Sequence, residues 1–400
     1  MISGVEATCV KKCVEKLAWR FCPFPHRRES DKLETFSIRG IGLAKKKSMV
    51  SFVIPTLNSG KTLAACLRAI ALQTVPRDQY EIVLADAGST DATREIARAC
   101  GVDRIVENPL KTGEAGKAAG IKASAGRLIA LVDSDNILPD PEWLARMTAP
   151  FNDPEIVASE PIAYTVRKTD PALTRYFALL GMNDPLCLFT KNYDRLSAVT
   201  GTWTGLEVRQ EDIGDYLKLT LSERSLPTIG ANGFVFRRSL LDHVAWEPYF
   251  FDIDVMHQAV RAGFPHVAKV KTGIVHLYCE RLSEFARKQQ RRIRDFLYYS
   301  QEKQRTYPWD SQKKSGIVLF CLETALVFPL VYQMARGFLR KRDLAWLYHI
   351  PVCWITLWLY GTATLRKAAG FRQAPITRDT WQAQNKRGRK NLAADAKHSG

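Results

Sequence analysis

The sequence predicts an α/β domain built on a mostly parallel sheet flanked by helices, and three observations predict it. Short apolar runs at 50–55, 80–85 and 128–132 lack polar alternation, as strands buried on both faces do. Between them lie stretches with helical spacing, such as 59–74, where Leu63, Leu67, Ile70 and Ala71 share one face. Strand and helix alternate four times at intervals of about 25–30 residues, the rhythm of right-handed βαβ units.

The first strand, Val50-Ser51-Phe52-Val53-Ile54-Pro55, ends at a proline. The second, Tyr80-Glu81-Ile82-Val83-Leu84-Ala85, runs into the small, polar turn Asp86-Ala87-Gly88-Ser89-Thr90-Asp91, with Asp91 placed to cap the helix through Cys100. A third strand is expected over 102–106, a small-residue helix over 114–125 and a fourth strand over 128–132. Residues 150–275 are less regular, with strands expected at 156–159, 233–237 and 266–270 and helices near 171–180, 239–244 and 253–262. The expected organisation is a basic extension over 1–48 and one domain over 49–308, divided near 140 into a nucleotide half and an acceptor half. An apolar helical hairpin over 315–366 and a basic, disordered tail over 367–400 complete it.

The charge is unevenly spread. Of the formal +17, residues 1–48 carry eleven Lys and Arg against five Asp and Glu, and residues 366–400 carry nine against two. Basic tails beside apolar segments point to anionic lipid head groups, at about 1 kcal/mol per cation near the surface, and away from nucleic acid. The two apolar segments, 316–334 and 344–365, each have about the 20 residues needed to cross a bilayer. The link between them carries Arg336, Arg340, Lys341 and Arg342. Cations on that link conflict with two complete spans entered from the cytoplasm. A re-entrant or interfacial hairpin removes the conflict, and buried core helices are the plainer alternative. The segment 1–48 does not read as a secretory signal, because charges interrupt every apolar run. It reads either as an amphipathic anchor or as a stretch upstream of a start at Met49. Nine cysteines without a CxxC pair suit a reducing compartment.

Chemistry-bearing residues gather at strand ends, where ligands of such sheets bind. Asp133-Ser134-Asp135 follows the fourth strand. Paired carboxylates there suit Mg²⁺ or Mn²⁺, which neutralises charge on a departing diphosphate; the plain alternative is a solvated acidic loop. Asp86 is placed to accept hydrogen bonds from a base N–H or a ribose hydroxyl. Asp252, before a helical stretch, is either a cap or a general base that takes the proton of an attacking hydroxyl. His276 ends a strand-like run and is either structural, a metal ligand or a phosphate contact. Arg291 and Arg292 lie in a basic helical run suited to bidentate bonds with a pyrophosphate.

The ordered set Val53-Ile54-Pro55-Thr56-Leu57-Asn58, Asp86-Ala87-Gly88-Ser89-Thr90-Asp91, Asp133-Ser134-Asp135, Gly230-Ala231-Asn232-Gly233 with Arg237-Arg238, and Asp252 eleven residues before Gly263 resembles the family 2 glycosyltransferases. That resemblance, to the membrane-associated bacterial type, implies the GT-A fold, Rossmann-like, and an inverting single displacement. It implies Asp86, Pro55, Thr56, Asn58, Asp133 and Ser134 on the donor, with Lys117 facing its phosphates. Asp135 would be the main metal ligand, supported by Asp133 and joined by His276, with Asp252 as base and Gly230, Asn232 and Gly233 on the acceptor side. It further implies Mn²⁺ or Mg²⁺, a UDP-sugar ahead of a GDP-sugar, and a hydroxyl or phosphate acceptor on a lipid-linked or envelope glycan. The place implied is the cytoplasmic face of the inner membrane. Gln289-x-x-Arg292-Ile293 departs from the Gln-x-x-Arg-Trp signature of processive members.

Two other functions compete. One is a non-catalytic, membrane-docked protein that binds nucleotide sugars. The other is a sugar nucleotidylyltransferase, poorly supported by Asn58-Ser59-Gly60-Lys61 where a Gly-rich basic loop is needed. Gly113-Glu114-Ala115-Gly116-Lys117 fails the Walker pattern, with Lys111 at the required first glycine and Ala118 after the lysine.

Overall fold

A computed structural model of the chain describes residues 49–302, 305–308 and 314–371. The expected amphipathic anchor and, apart from residues 367–371, the expected disordered tail lie outside these residues.

The first half alternates as expected: β1 (Val50–Thr56), α1 (Leu63–Ala71), β2 (Tyr80–Asp86), α2 (Thr93–Ala99), β3 (Arg104–Glu107), α3 (Gly113–Ala123) and β4 (Leu128–Leu131). All pairings among these strands are parallel. β1 and β2 are buried along almost their whole length, which explains their unbroken apolar sequences. Helix α3 lies close on β1 because it presents glycines there. A Cβ on Gly116 would stand 2.8 Å from the Pro55 Cβ, and one on Gly120 would overlap the Val53 side chain.

The second half mixes directions. It adds β5 (Asn136–Ile137), α4 (Trp143–Thr148), β6 (Ala158–Tyr164), α5 (Ala172–Leu180), α6 (Leu186–Thr190), β7 (Arg209–Asp212), β8 (Tyr216–Thr220), β9 (Phe234–Arg237), α7 (Asp252–Arg261) and β10 (His266–His276). The sheet order is β3-β2-β1-β4-β9-β6-β10-β8-β7, with β5 paired to β10. β9 runs antiparallel to both β4 and β6, while β6 and β10 are parallel. Chain order reverses at β1 and β4, so a crevice opens at their carboxyl ends. Asp133 follows β4 at that point.

The C-terminal elements are α8 (Leu282–Gln301), α9 (Lys314–Leu326), α10 (Phe328–Arg340), a 3-10 turn Leu344–Tyr348 and α11 (His349–Ala368). The first apolar segment is not one helix. It breaks at Val327, which has φ +62°, and α9 and α10 meet at a bend of 94°. Pro329 sits in the first turn of α10, where its missing N–H costs nothing. Among the described residues no single helix is long and apolar enough to cross a membrane, although this bent pair meets the test of length and composition. The hairpin also packs on the domain. Asp343 receives two bonds from Arg175, at 2.9 and 3.0 Å, and the Tyr176 hydroxyl lies 2.8 Å from His349 Nδ1.

Candidate active site

The turn after β4 is held by Asn136, a residue the sequence reading passed over. Its Oδ1 accepts from the Asp133 N–H at 3.0 Å, and its Nδ2 donates to Asn232 Oδ1 at 3.0 Å. Asn232 in turn donates to the Tyr164 hydroxyl at 3.1 Å. One buried asparagine thus ties the acidic turn to the loop expected on the acceptor side. Asn136 also pairs with His276 across β5 and β10, and the Leu277 N–H donates to the Asp135 carbonyl at 2.9 Å. This register places His276 Nε2 3.7 Å from Asp135 Oδ1. Burial pushes the imidazole pKa down to about 3, so the ring is neutral at pH 7. Burial also raises the Asp133 and Asp135 carboxyls, opposed by Lys117 at the first and Lys288 at the second.

Asp252 opens α7, and both its oxygens accept from Lys117 Nζ, at 2.7 and 2.6 Å. Gly230 lies directly against it. With φ +119° and a notional Cβ 2.6 Å from the Asp252 Cβ, no other residue fits there without displacing the carboxylate. Burial raises the Asp252 pKa to about 7 despite the Lys117 ammonium. Burial also works against the charge on Lys117, but the Asp252 and Asp133 carboxylates outweigh it and raise its pKa. Lys117 therefore stands in the field of both Asp252 and Asp133, and acidic groups from distant parts of the chain share one cleft. Lys117 was expected to face phosphate; in this structure its ammonium is held by Asp252.

The remaining donor-side residues form a linked pair of loops. Asp86 is fully buried and accepts from Thr56 Oγ1 (3.0 Å), the Gly88 and Ser89 N–H groups (3.2 and 3.0 Å), Ser89 Oγ (2.5 Å) and Arg94 Nε (2.7 Å). Burial alone would raise its carboxyl pKa, yet these bonds hold it below the usual range. Asp86 shapes the loop from within rather than projecting from it. Exposed Asn58 joins the loops: its N–H donates to Ser89 Oγ at 2.9 Å and its Oδ1 accepts from the Thr90 N–H at 2.9 Å. Ser134 Oγ donates to Ser59 Oγ at 2.8 Å, and Pro55 packs against Gly116. Asp91 accepts from the N–H groups of Gly60 and Thr93, each at 3.0 Å, but it stands one residue before the N-cap of α2, which is Ala92 and not the expected Asp91.

The arginines of the basic run on α8 have partners on their own helix. Arg291 Nε lies 3.7 Å from Asp295 Oδ2 on its own helix, and Arg292 Nη1 donates to Gln289 Oε1 at 3.0 Å. Lys288, one turn earlier, is the α8 cation whose field reaches Asp135 most strongly, and it donates to the Tyr278 carbonyl.

Beneath the loop 230–233 lies a buried ionic cluster that the sequence reading missed. Lys269 stands opposite Glu160 in the β6–β10 ladder and donates to its Oε2 at 2.5 Å. Arg195 Nη1 lies 2.9 Å from the same oxygen and also bonds Asp194, while Nη2 donates to the Ala231 carbonyl at 2.8 Å. Glu160 Oε1 accepts the Gly230 N–H at 3.0 Å. Gly233, with φ +86°, fits against Ile274 and Trp143. Among the described residues no three Asp, Glu, His or Cys side chains stand close enough to hold a metal ion by themselves.

The cleft lies at the switch point of the α/β sheet, with the acidic turn after β4 on one side and the glycine-rich loop 230–233 near Asp252 on the other. Residues 51–243 match the model of glycosyl transferase family 2. That stretch, just under half of the chain, is similar to the family over the parallel strands and the loops at their ends. Among curated relatives, the chain is 27% identical over 176 residues to the glycosyltransferase AglE of Haloferax volcanii, covering 42% of this chain and 55% of that protein. It is 37% identical over 97 residues to the glycosyltransferase GlyG of Streptococcus pneumoniae, covering 23% and 32%. The match thus spans about half of one relative and a third of the other. Among solved structures, the mannosyltransferase PcManGT of Pyrobaculum calidifontis, in complex with GDP-Man and Mn²⁺, superposes with a TM-score of 0.42 at 16% identity, covering 92% of this chain and 89% of that one. Glucosyl-3-phosphoglycerate synthase of Mycobacterium tuberculosis, with Mn²⁺ and UDP-Glc, gives 0.41 at 21% identity, covering 63% and 78%.

Proposed function

We propose that this enzyme moves a sugar from a nucleotide-sugar donor to a hydroxyl or phosphate acceptor by a single inverting displacement, with Asp252 as base for a hydroxyl. The observation that carries this reading is the placement of Asp252 beside Gly230 and on Lys117, in the field of Asp133. A carboxyl with a pKa near neutrality is matched to accepting a proton at physiological pH. Lys117 lies between that base and the end of β4, so an incoming diphosphate competes with Asp252 for the ammonium. Donor binding thereby frees the base. The side chains of Asn58 and Ser134, at the edge of the same crevice, are placed for donor contacts, and Gly230, Asn232 and Gly233 for the acceptor.

The residues fit a divalent ion. Two carboxylates crowd one turn, and a neutral imidazole stands 3.7 Å from Asp135. Asp135 and the adjacent His276 would hold Mn²⁺ or Mg²⁺ together with oxygens of the diphosphate, and Asp133 would support the ion once the donor is bound. The ion would supply neutralisation of the charge that develops on the leaving diphosphate.

The acceptor in this reading is lipid-linked and is met at the cytoplasmic face of the inner membrane. Leu326, Phe328, Tyr332, Leu339 and Leu347 are exposed on and around the bent pair, and Arg336, Lys341 and Arg342 flank them. Apolar side chains beside cations suit a helix lying in the interface rather than crossing it.

A panel of nucleotide sugars with Mn²⁺ or Mg²⁺ tests the reaction. The expected result is release of UDP from one UDP-sugar, with a GDP-sugar as the second candidate. Pyrophosphate release from a nucleoside triphosphate and a sugar phosphate would replace this reading with nucleotidyl transfer. The pH profile tests the base. Asp252 must be ionised to act, so kcat/KM is expected to rise through about pH 7. Lys117 lowers the Asp252 pKa, so Lys117→Met moves that limb to higher pH. A limb that stays in place in the variant excludes Asp252 as its origin.

A further inference from the structure

Helix α8 has two working faces. At 100° per residue, Lys288 and Arg292 lie opposite Gln290, Arg294, Leu297 and Gln301. The second group lines a crevice with α11 that has about 80 Å³ of free volume. Its far wall carries Leu359, Thr362, Ala363, Arg366 and Lys367, with Phe371 at the mouth. The crevice is therefore apolar along one side and cationic at one end.

Arg294, Arg366 and Lys367 converge there, and none of the three forms an ion pair among the described residues. Two of the cations have a simple structural reason: Arg366 and Lys367 occupy the last turn of α11, where positive charge complements the helix dipole. Arg294 has no such reason, since it belongs to the middle of α8. Burial and the repulsion of Arg366 both disfavour its charge. Asp295, the next residue along, is the acid that favours the Arg294 charge, and it does not outweigh burial and Arg366; three cations converging in a partly enclosed crevice are costly unless an anion joins them.

The surroundings say what kind of anion. α11 exposes Trp354, Trp358 and Leu365 along one stripe, and Phe371 is 71% exposed beside the cations. Aromatic and aliphatic side chains next to cations are the surface of a membrane interface, not of a pocket for a free ion. We propose that the crevice between α8 and α11 binds the phosphate of a membrane phosphomonoester lipid, with Arg294, Arg366 and Lys367 on the phosphate and Leu297, Leu359 and Phe371 along the first part of the chain. It lies on the face of α8 turned away from Lys288 and the acidic cleft, so it is a second site, separate from sugar transfer.

Calorimetric titration of the full chain with monomeric dodecyl phosphate tests the site. One saturable site is expected. The double variant Arg294→Gln/Arg366→Gln is expected to bind about a hundredfold more weakly, because two charge-assisted bonds are lost. Arg294→Lys/Arg366→Lys, which keeps the charge, is expected to restore most of that loss, and inorganic phosphate to bind far more weakly than dodecyl phosphate. Flotation with phosphatidylcholine vesicles, with and without phosphatidic acid, is expected to show a phosphatidic acid preference that the Gln variant loses. Equal binding of dodecyl phosphate by wild type and the Gln variant overturns the proposal. Inorganic phosphate binding as tightly as dodecyl phosphate makes this a free-anion site and overturns it too, as does equal competition by dodecanol. Titration with the donor nucleotide separates the two sites: the Gln variant keeps wild-type donor affinity whether or not the assignment of Asp252 stands.

Discussion

Asp252→Asn lowers sugar transfer by about 10²–10⁴-fold, the usual contribution of a positioned general base, and leaves donor affinity close to that of the native enzyme. The substitution keeps size and shape, so Gly230 still packs against residue 252 and α7 still starts there. What it removes is basicity: an amide oxygen cannot take the acceptor proton at neutral pH. It also removes the charge that holds Lys117. The ammonium then answers to Asp133, Glu114 and an incoming diphosphate, so donor binding does not weaken. The measurement is a comparison of turnover and donor affinity, and their separation is the signature. Native turnover in the Asn variant removes Asp252 as base. A parallel loss of donor binding makes it a structural partner of Lys117 instead.

Much of the fold was legible because the first half of the sheet is buried on both faces. β1, β2 and β4 leave no alternation in the sequence, and the helices between them keep their period. The hairpin β7–β8 was not legible, since β7 is four exposed polar residues at a sheet edge. Nor was the break at Val327: apolar composition runs across it without change, and the only local signal was Pro329 in a helix-starting position. In the site, the acids at strand ends could be read because a βαβ rhythm fixes where strand ends go. Their partners could not. Lys117 stands in a small-residue helix and looks like a phosphate ligand, while its bond to Asp252 depends on where α7 docks. Asp86 carried the right chemistry for a ligand, but that Thr56, Ser89 and Arg94 also bond it from within the loop was not legible. The signal for the ionic cluster was present and unread: Glu160 and Lys269 are charged residues inside apolar strands, an arrangement that demands a partner.

That cluster sets the second large expectation. Arg195→Met costs about 3–5 kcal/mol of stability, the range for breaking a buried ion pair by removing one partner, and lowers the melting temperature by roughly 10 °C. Glu160, Arg195 and Lys269 are all fully buried, so solvent does not soften the loss. Without the guanidinium, Lys269 alone faces Glu160 and Asp194, whose carboxyl burial already raises to about 6. The same guanidinium holds the Ala231 carbonyl, and Glu160 holds the Gly230 N–H. The loop that touches Asp252 is thus suspended from this cluster rather than from the sheet alone. Two measurements separate packing from support. Thermal unfolding reads the stability loss, and hydrogen exchange at the Gly230 amide reads the loop. Faster exchange at Gly230 together with reduced turnover below the melting transition is the expected pair. A variant that melts like the native protein, with Gly230 equally protected, shows that the loop holds its shape without the charges below it.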